Sequence, residues 1–238
     1  MPRGLGCLIT LSVVAAALFF TGRDYVRRHP QDVPWTALDL DDPVGRFTAS
    51  KIAGLDDETA RCRDLLSDAP VGDSAVPPRR SPPYCGYENG MRLDGRSVSY
   101  NPDGLVTSCP VAAALFLWEN RVVQPAAQRH FGSKVTRIDH GGSYSCRRLY
   151  GRETGAFSEH ATADAIDVTG FQLDDGELVR VLQDWKGWDA RSRFLSEVRD
   201  GACEVFSTVL SPDYNEAHRD HLHFDVASRG GGVWTMCR

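Results

Sequence analysis

The 238-residue chain sets 27 basic against 32 acidic side chains, for a net charge of −5, and 42% of its residues are apolar. That suffices for one sizeable core with an extension. No long basic run interrupts the charge mixture, so a nucleic-acid partner, whose phosphates need clustered Lys and Arg, is not expected.

In chain order, residues 5–20 (LGCLITLSVVAAALFF) form an apolar stretch preceded by Arg3. It reads as a secretory signal or a short membrane anchor, and either one exports the chain. No small-x-small cleavage site follows Phe19-Phe20-Thr21-Gly22, which favours an uncleaved anchor over residues 1–22. Arg23, Arg27 and Arg28 follow it, against the positive-inside preference for a chain whose C-terminus is outside. Cys7 stands at the start of the apolar run rather than after it and so does not fit a lipoprotein acylation site. Residues 23–56 mix charges and prolines with few periodic apolar positions, which suits an extracytoplasmic linker ahead of a domain at 57–238. Six further cysteines, at 62, 85, 109, 146, 203 and 237, stand singly with no C-x-x-C. In an exported chain they predict three disulfides, with fifteen pairings open.

Within the domain, residues 57–66 suit a short helix carrying Cys62. Residues 68–84, with five prolines, suit a loop. A largely buried helix is predicted from Cys109-Pro110 through Trp118, because proline is tolerated in a first turn. Pro125 then breaks or kinks it before residues 126–131, and Gly132 offers a stop. Residues 134–138 alternate like a half-buried strand, residues 141–148 read as a strand entering a loop, and residues 165–169 read as another strand. Helices are expected at 175–185 and 191–210. Residues 221–226 close the pattern as a period-two strand with His221, His223 and Asp225 on one face and Leu222, Phe224 and Val226 on the other. Trp185, Trp188 and Trp234 are expected in core or rim packing.

The chemistry concentrates in Ser158-Glu-His160-Ala-Thr-Ala163-Asp-Ala165-Ile-Asp167 and, some fifty residues on, Asp220-His221-Leu-His223. Three of the seven histidines fall between 218 and 223. Zinc takes imidazole nitrogen and carboxylate oxygen, and a hydrolytic site needs three protein ligands with one position left for water. His160, Asp167 and His223 form such a set, and two imidazoles with a carboxylate favour Zn2+ over other divalent metals.

Ser143-Tyr-Ser-Cys-Arg147, Ser158-Glu-His-Ala, Ala165-Ile-Asp-Val, Pro212-Asp-Tyr-Asn215 and His218-x-x-His221-x-His223 together resemble the bacterial extensin-like C-terminal domain family over about residues 35–238. That family is in turn similar to the zinc D-alanyl-D-alanine peptidases, whose fold is shared with hedgehog signalling domains. The resemblance implies an α+β fold with an antiparallel sheet, flanking helices and zinc held by His160, Asp167 and His223. It implies Asp220 or His221 as the catalytic base, Arg147 (with Arg148 as fallback) polarising the scissile carbonyl, and Ser158 contacting the substrate backbone or terminal carboxylate. Ala163 departs from the glycine usual at its position. If that position needs positive φ, alanine would cost about 1 kcal/mol or more. The implied function is a periplasmic zinc peptidase, tethered to the inner membrane, cutting peptidoglycan stem peptides beside a D-amino acid. The alternatives are a noncatalytic zinc-containing module that binds wall peptide and a metal-free structural protein of the envelope.

Overall fold

The computed structural model describes residues 3–69, 73–81, 83–94, 97–228 and 235–238. The chain opens with α1 (Arg3–Arg28), α2 (Thr48–Ala53) and α3 (Thr59–Asp68). Short strands follow: β1 (Ser74–Ala75), β2 (Arg79–Ser81), β3 (Cys85–Tyr87), β4 (Gly90–Arg92), β5 (Ser99–Asn101) and β6 (Val106–Ser108). The second half runs α4 (Cys109–Trp118), α5 (Gln124–Phe131), β7 (Val135–Gly142), β8 (Ala165–Leu173), β9 (Leu178–Arg180) and α6 (Val181–Asp184). It finishes with α7 (Ala190–Ala202), β10 (Thr208–Leu210), β11 (Leu222–Asp225) and β12 (Met236–Cys237).

The principal sheet has the order β12-β10-β11-β8-β7-β5, with β9 also paired to β8. Its centre, β7-β8-β11-β10, is antiparallel, and β5 and β12 add in parallel at the two edges. The fold is thus α+β, with three disulfides: Cys62–Cys109, Cys85–Cys146 and Cys203–Cys237. Trp118 meets Phe171 and Phe224, Phe171 meets Phe194, and Phe206 stacks on Phe224, so aromatic rings bind α4 and α7 to the sheet. The α4 helix has almost no polar side and is buried all round, as a helix without an amphipathic stripe must be. After Trp118 the chain makes a π-helical turn, Glu119–Val123, before Pro125 enters the first turn of α5. The missing proline N–H accounts for the irregularity, and Gly132 at φ 66° ends the helix as expected.

Two predicted helices are corrected. In place of one helix over 175–185, Asp175-Gly176 turn the chain, Gly176 at φ 87°, and β9 pairs back on β8 before the one-turn α6. An Asp-Gly turn between apolar runs is a hairpin signal that outweighs helical spacing. The helix predicted over 191–210 stops at Ala202, where the Cys203–Cys237 link and the β-branched Thr208 and Val209 take the chain into the sheet. The proline-rich stretch 68–84 carries the short strands β1 and β2, the latter in a hairpin with β3.

The expected linker over 23–56 is also corrected. The α1 helix continues through Arg28, a 3-10 turn follows at Pro30–Asp32, and Val33, Leu38, Leu40, Ile52 and Leu55 are buried. Lys51 Nζ donates to the Pro30 carbonyl and to Thr36 Oγ1, each at 2.7 Å, so the segment is pinned by polar contacts as well. Its apolar residues lie too far apart for any local periodicity. Along α1, side chains from Leu8 to Tyr25 lie exposed, and Leu8–Arg28 is long and apolar enough to cross a membrane. With the disulfides, this is consistent with an exported protein carrying a signal or membrane anchor. Trp185 packs as expected, whereas Trp188 is 94% exposed. Trp234 lies outside the described residues.

Candidate metal centre

Three segments converge on the polar face of β8 and β11. His223 stands directly opposite Asp167 in the antiparallel register, which brings a histidine and an aspartate fifty-six residues apart side by side. His160 comes from a 3-10 turn, Glu159–Thr162, capped by Ser158, whose Oγ accepts the His160 N–H at 3.4 Å. The turn ends at Ala163 with φ 63°, the left-handed conformation that makes alanine costly there. Ala163 is nonetheless held, because its carbonyl accepts from Ser108 N at 2.9 Å and from Ser143 Oγ at 3.2 Å.

Asp167 Oδ1 is the hub. It lies 2.8 Å from His223 Nδ1 and 3.2 Å from His160 Nε2, and these two nitrogens are 3.2 Å apart. One donor atom from each of the three residues falls within 4.8 Å of the others. Burial alone would push the Asp167 carboxyl up, but hydrogen bonds from His160 and His223 hold it well below the usual carboxylate range. Burial likewise opposes charge on His223, yet Asp167 and Asp225 raise it to about 9. A buried carboxylate demands a positive partner. Here that partner is either an imidazolium proton or a cation held by two imidazoles and a carboxylate, and the donor set fits a divalent metal.

The other predicted residues surround this hub. His221 points Nε2 at Asp167 Oδ1, 3.5 Å away, while its Nδ1 lies 2.9 Å from Asp220 Oδ1. Asp220 therefore backs His221 from the solvent side. Arg147 lines the same cleft of about 400 Å³, with no carboxylate against its guanidinium among the described residues. Arg148 turns away: it donates to the Gly155 carbonyl and covers the Phe157 ring at 4.3 Å. His218, held by Asn215 at 2.8 Å, borders His221 and His223. Burial, then the neighbouring His221 and His223, lower its pKa to about 4. Of the apolar cleft wall, Tyr214 falls within the Pro212–Asn215 motif, whereas Leu149, Tyr150, Phe157, Leu210 and Met236 carry no sequence signal. Those residues come from four separate segments and share no motif.

Residues 60–238 match the family described as extensin-like protein C-terminus. The chain belongs to that family. No curated protein and no solved structure matches it. The extensin-like region contains the hub, the cleft and all three disulfides. The buried residues Val33, Leu38, Leu40, Ile52 and Leu55 precede it, so the folded unit begins before the family match does.

Proposed function

We propose that this extensin-like protein is a zinc-dependent peptidase acting on peptidoglycan stem peptides, at an amide beside a D-amino acid, with a hedgehog/DD-peptidase-like fold. The observation that carries this reading is the convergence of His160, Asp167 and His223 within 4.8 Å, at the floor of a cleft, beside a histidine backed by a carboxylate. The motif resemblance supports the substrate class. Zinc bound by these three residues would supply a lowered pKa for water and a Lewis acid for the scissile carbonyl. His221, one nitrogen aimed at the hub and the other steadied by Asp220, is placed to take the proton of the attacking water and pass it to the leaving amine. Arg147 stabilises the oxyanion. Ser158 faces the cleft, and its hydroxyl caps the His160 turn as well as offering a contact to the substrate.

Elemental analysis of the purified chain, beside a H160A/H223A variant, tests the reading, followed by digestion of defined muropeptides. We expect one equivalent of zinc, absent from the double variant, and release of a D-amino acid or a shortened stem peptide. Zinc with peptide binding but no turnover would instead establish a noncatalytic wall-binding module. Absence of zinc after supplementation would sink both.

A further inference from the structure

The two imidazoles of the hub present different nitrogens to it, and their remaining nitrogens face different acceptors. His160 offers Nε2 to the hub, and its Nδ1 lies 2.7 Å from the Ser143 carbonyl. His223 is reversed: Nδ1 faces the hub, and Nε2 lies 3.4 Å from Asp225 Oδ2. Without a metal, Asp167 accepts from both hub-side nitrogens. With a cation at the hub instead, each neutral ring would keep its one proton on the far nitrogen, against the Ser143 carbonyl or Asp225, and turn its lone pair to the cation. The acceptor behind His160 is a backbone carbonyl, whereas the one behind His223 is a side-chain carboxylate.

Asp225 is only 2% exposed and sits on β11 two residues beyond His223, on the same face. Its Oδ1 accepts from Ala227 N at 3.1 Å, which fixes the carboxylate while Oδ2 stays turned to the ring. Two carboxylates, the part-buried Asp167 and the buried Asp225, thus bracket His223, one on each ring nitrogen.

We infer that Asp225 is a positioning residue of the metal centre: it holds the proton of His223 on Nε2, directs Nδ1 to the metal and strengthens that nitrogen as a donor. A carboxylate behind a metal-bound histidine is worth about 10–100-fold in metal affinity. This rests on the metal-site reading above. The competing role is purely structural, with Asp225 tying the end of β11 to Ala227.

The test is zinc affinity of the full chain, measured by competition with a chromogenic chelator, together with thermal melts of the metal-free protein. Asp225→Asn keeps the shape and an acceptor for Ala227 N–H but removes the charge. We expect zinc affinity to fall about 10–100-fold, the metal-free melting temperature to stay near that of the wild type, and Asp225→Glu to recover most of the affinity. If D225N does not give folded protein, Asp225→Ser, small and still able to accept from Ala227, carries the same comparison. Affinity within twofold of the wild type, with or without a drop in metal-free stability, would overturn the inference while leaving the metal centre intact. A wild-type chain that binds no zinc would overturn both.

Discussion

Between Asp220 and Asp167 the His221 ring has a nitrogen facing each, at 2.9 and 3.5 Å, and no part in the donor trio itself. His221→Ala is therefore expected to lower turnover of a muropeptide by about 10²–10⁴-fold with zinc content unchanged, read from steady-state rates and elemental analysis on the same samples. The hub also dictates a pH dependence. His223 is raised from 6.5 to about 9, so its pairing stabilises the metal-free fold fully below pH 6.5 and is lost as pH rises through about 9. Asp167 is depressed from 3.8, so its contribution is present above that value and lost as pH falls. Metal-free protein should accordingly melt highest between about pH 4 and 6.5 and lose several degrees by pH 9.5, at roughly 2–4 °C per kcal/mol. Zinc occupancy should run the opposite way and rise with pH, because metal displaces the His223 proton. Melts in chelator and zinc titrations across that range check both. At Ala163, φ 63° sets relief of strain against loss of one buried methyl. Ala163→Gly should be neutral or stabilising by up to about 1 kcal/mol in denaturant unfolding, unlike an ordinary buried Ala→Gly change.

Among the elements, α2 reports most directly on the segment that reads as a linker in the sequence. Ile52 is fully buried, so Ile52→Ala should destabilise the protein by about 2–5 kcal/mol in chemical denaturation, where a tether residue would cost nothing. What was legible locally is what local rules control. The helix from Cys109 to Trp118 has proline in its first turn, and the strand around 222–225 keeps strict alternation, so both stand where the sequence places them. The donor trio was legible because two imidazoles and a carboxylate are a recognisable set of donors for a metal. Not legible were β9, whose apolar residues fit either period until the Asp175-Gly176 turn decides, and the packing of Leu38, Leu40 and Leu55, which exists only against distant elements. Asp225 fell between these cases: its face was readable from alternation, but its bond to the far side of His223 needs the ring orientation.

For the whole molecule, the packed segment moves the boundary of the folded unit. A chain starting at residue 57 would lack Leu38, Leu40, Ile52 and Leu55 and lay bare the part of the core they cover, including the surface of α4 against which α2 packs. It should be poorly soluble or unfold without cooperativity, whereas one starting at Pro30 should be soluble and unfold in a single transition; expression yield and urea melts separate the two. The same packing bears on where the cleft can travel. A free leash over residues 23–56 would extend to roughly 110 Å. Instead, His29 alone separates the end of α1 from the turn that Lys51 clasps. In a chain that keeps α1 in the bilayer, the cleft is held within the width of the folded domain from the membrane face. It would patrol a thin layer by lateral diffusion and meet ligands that come to that layer, not those an extended arm could fetch.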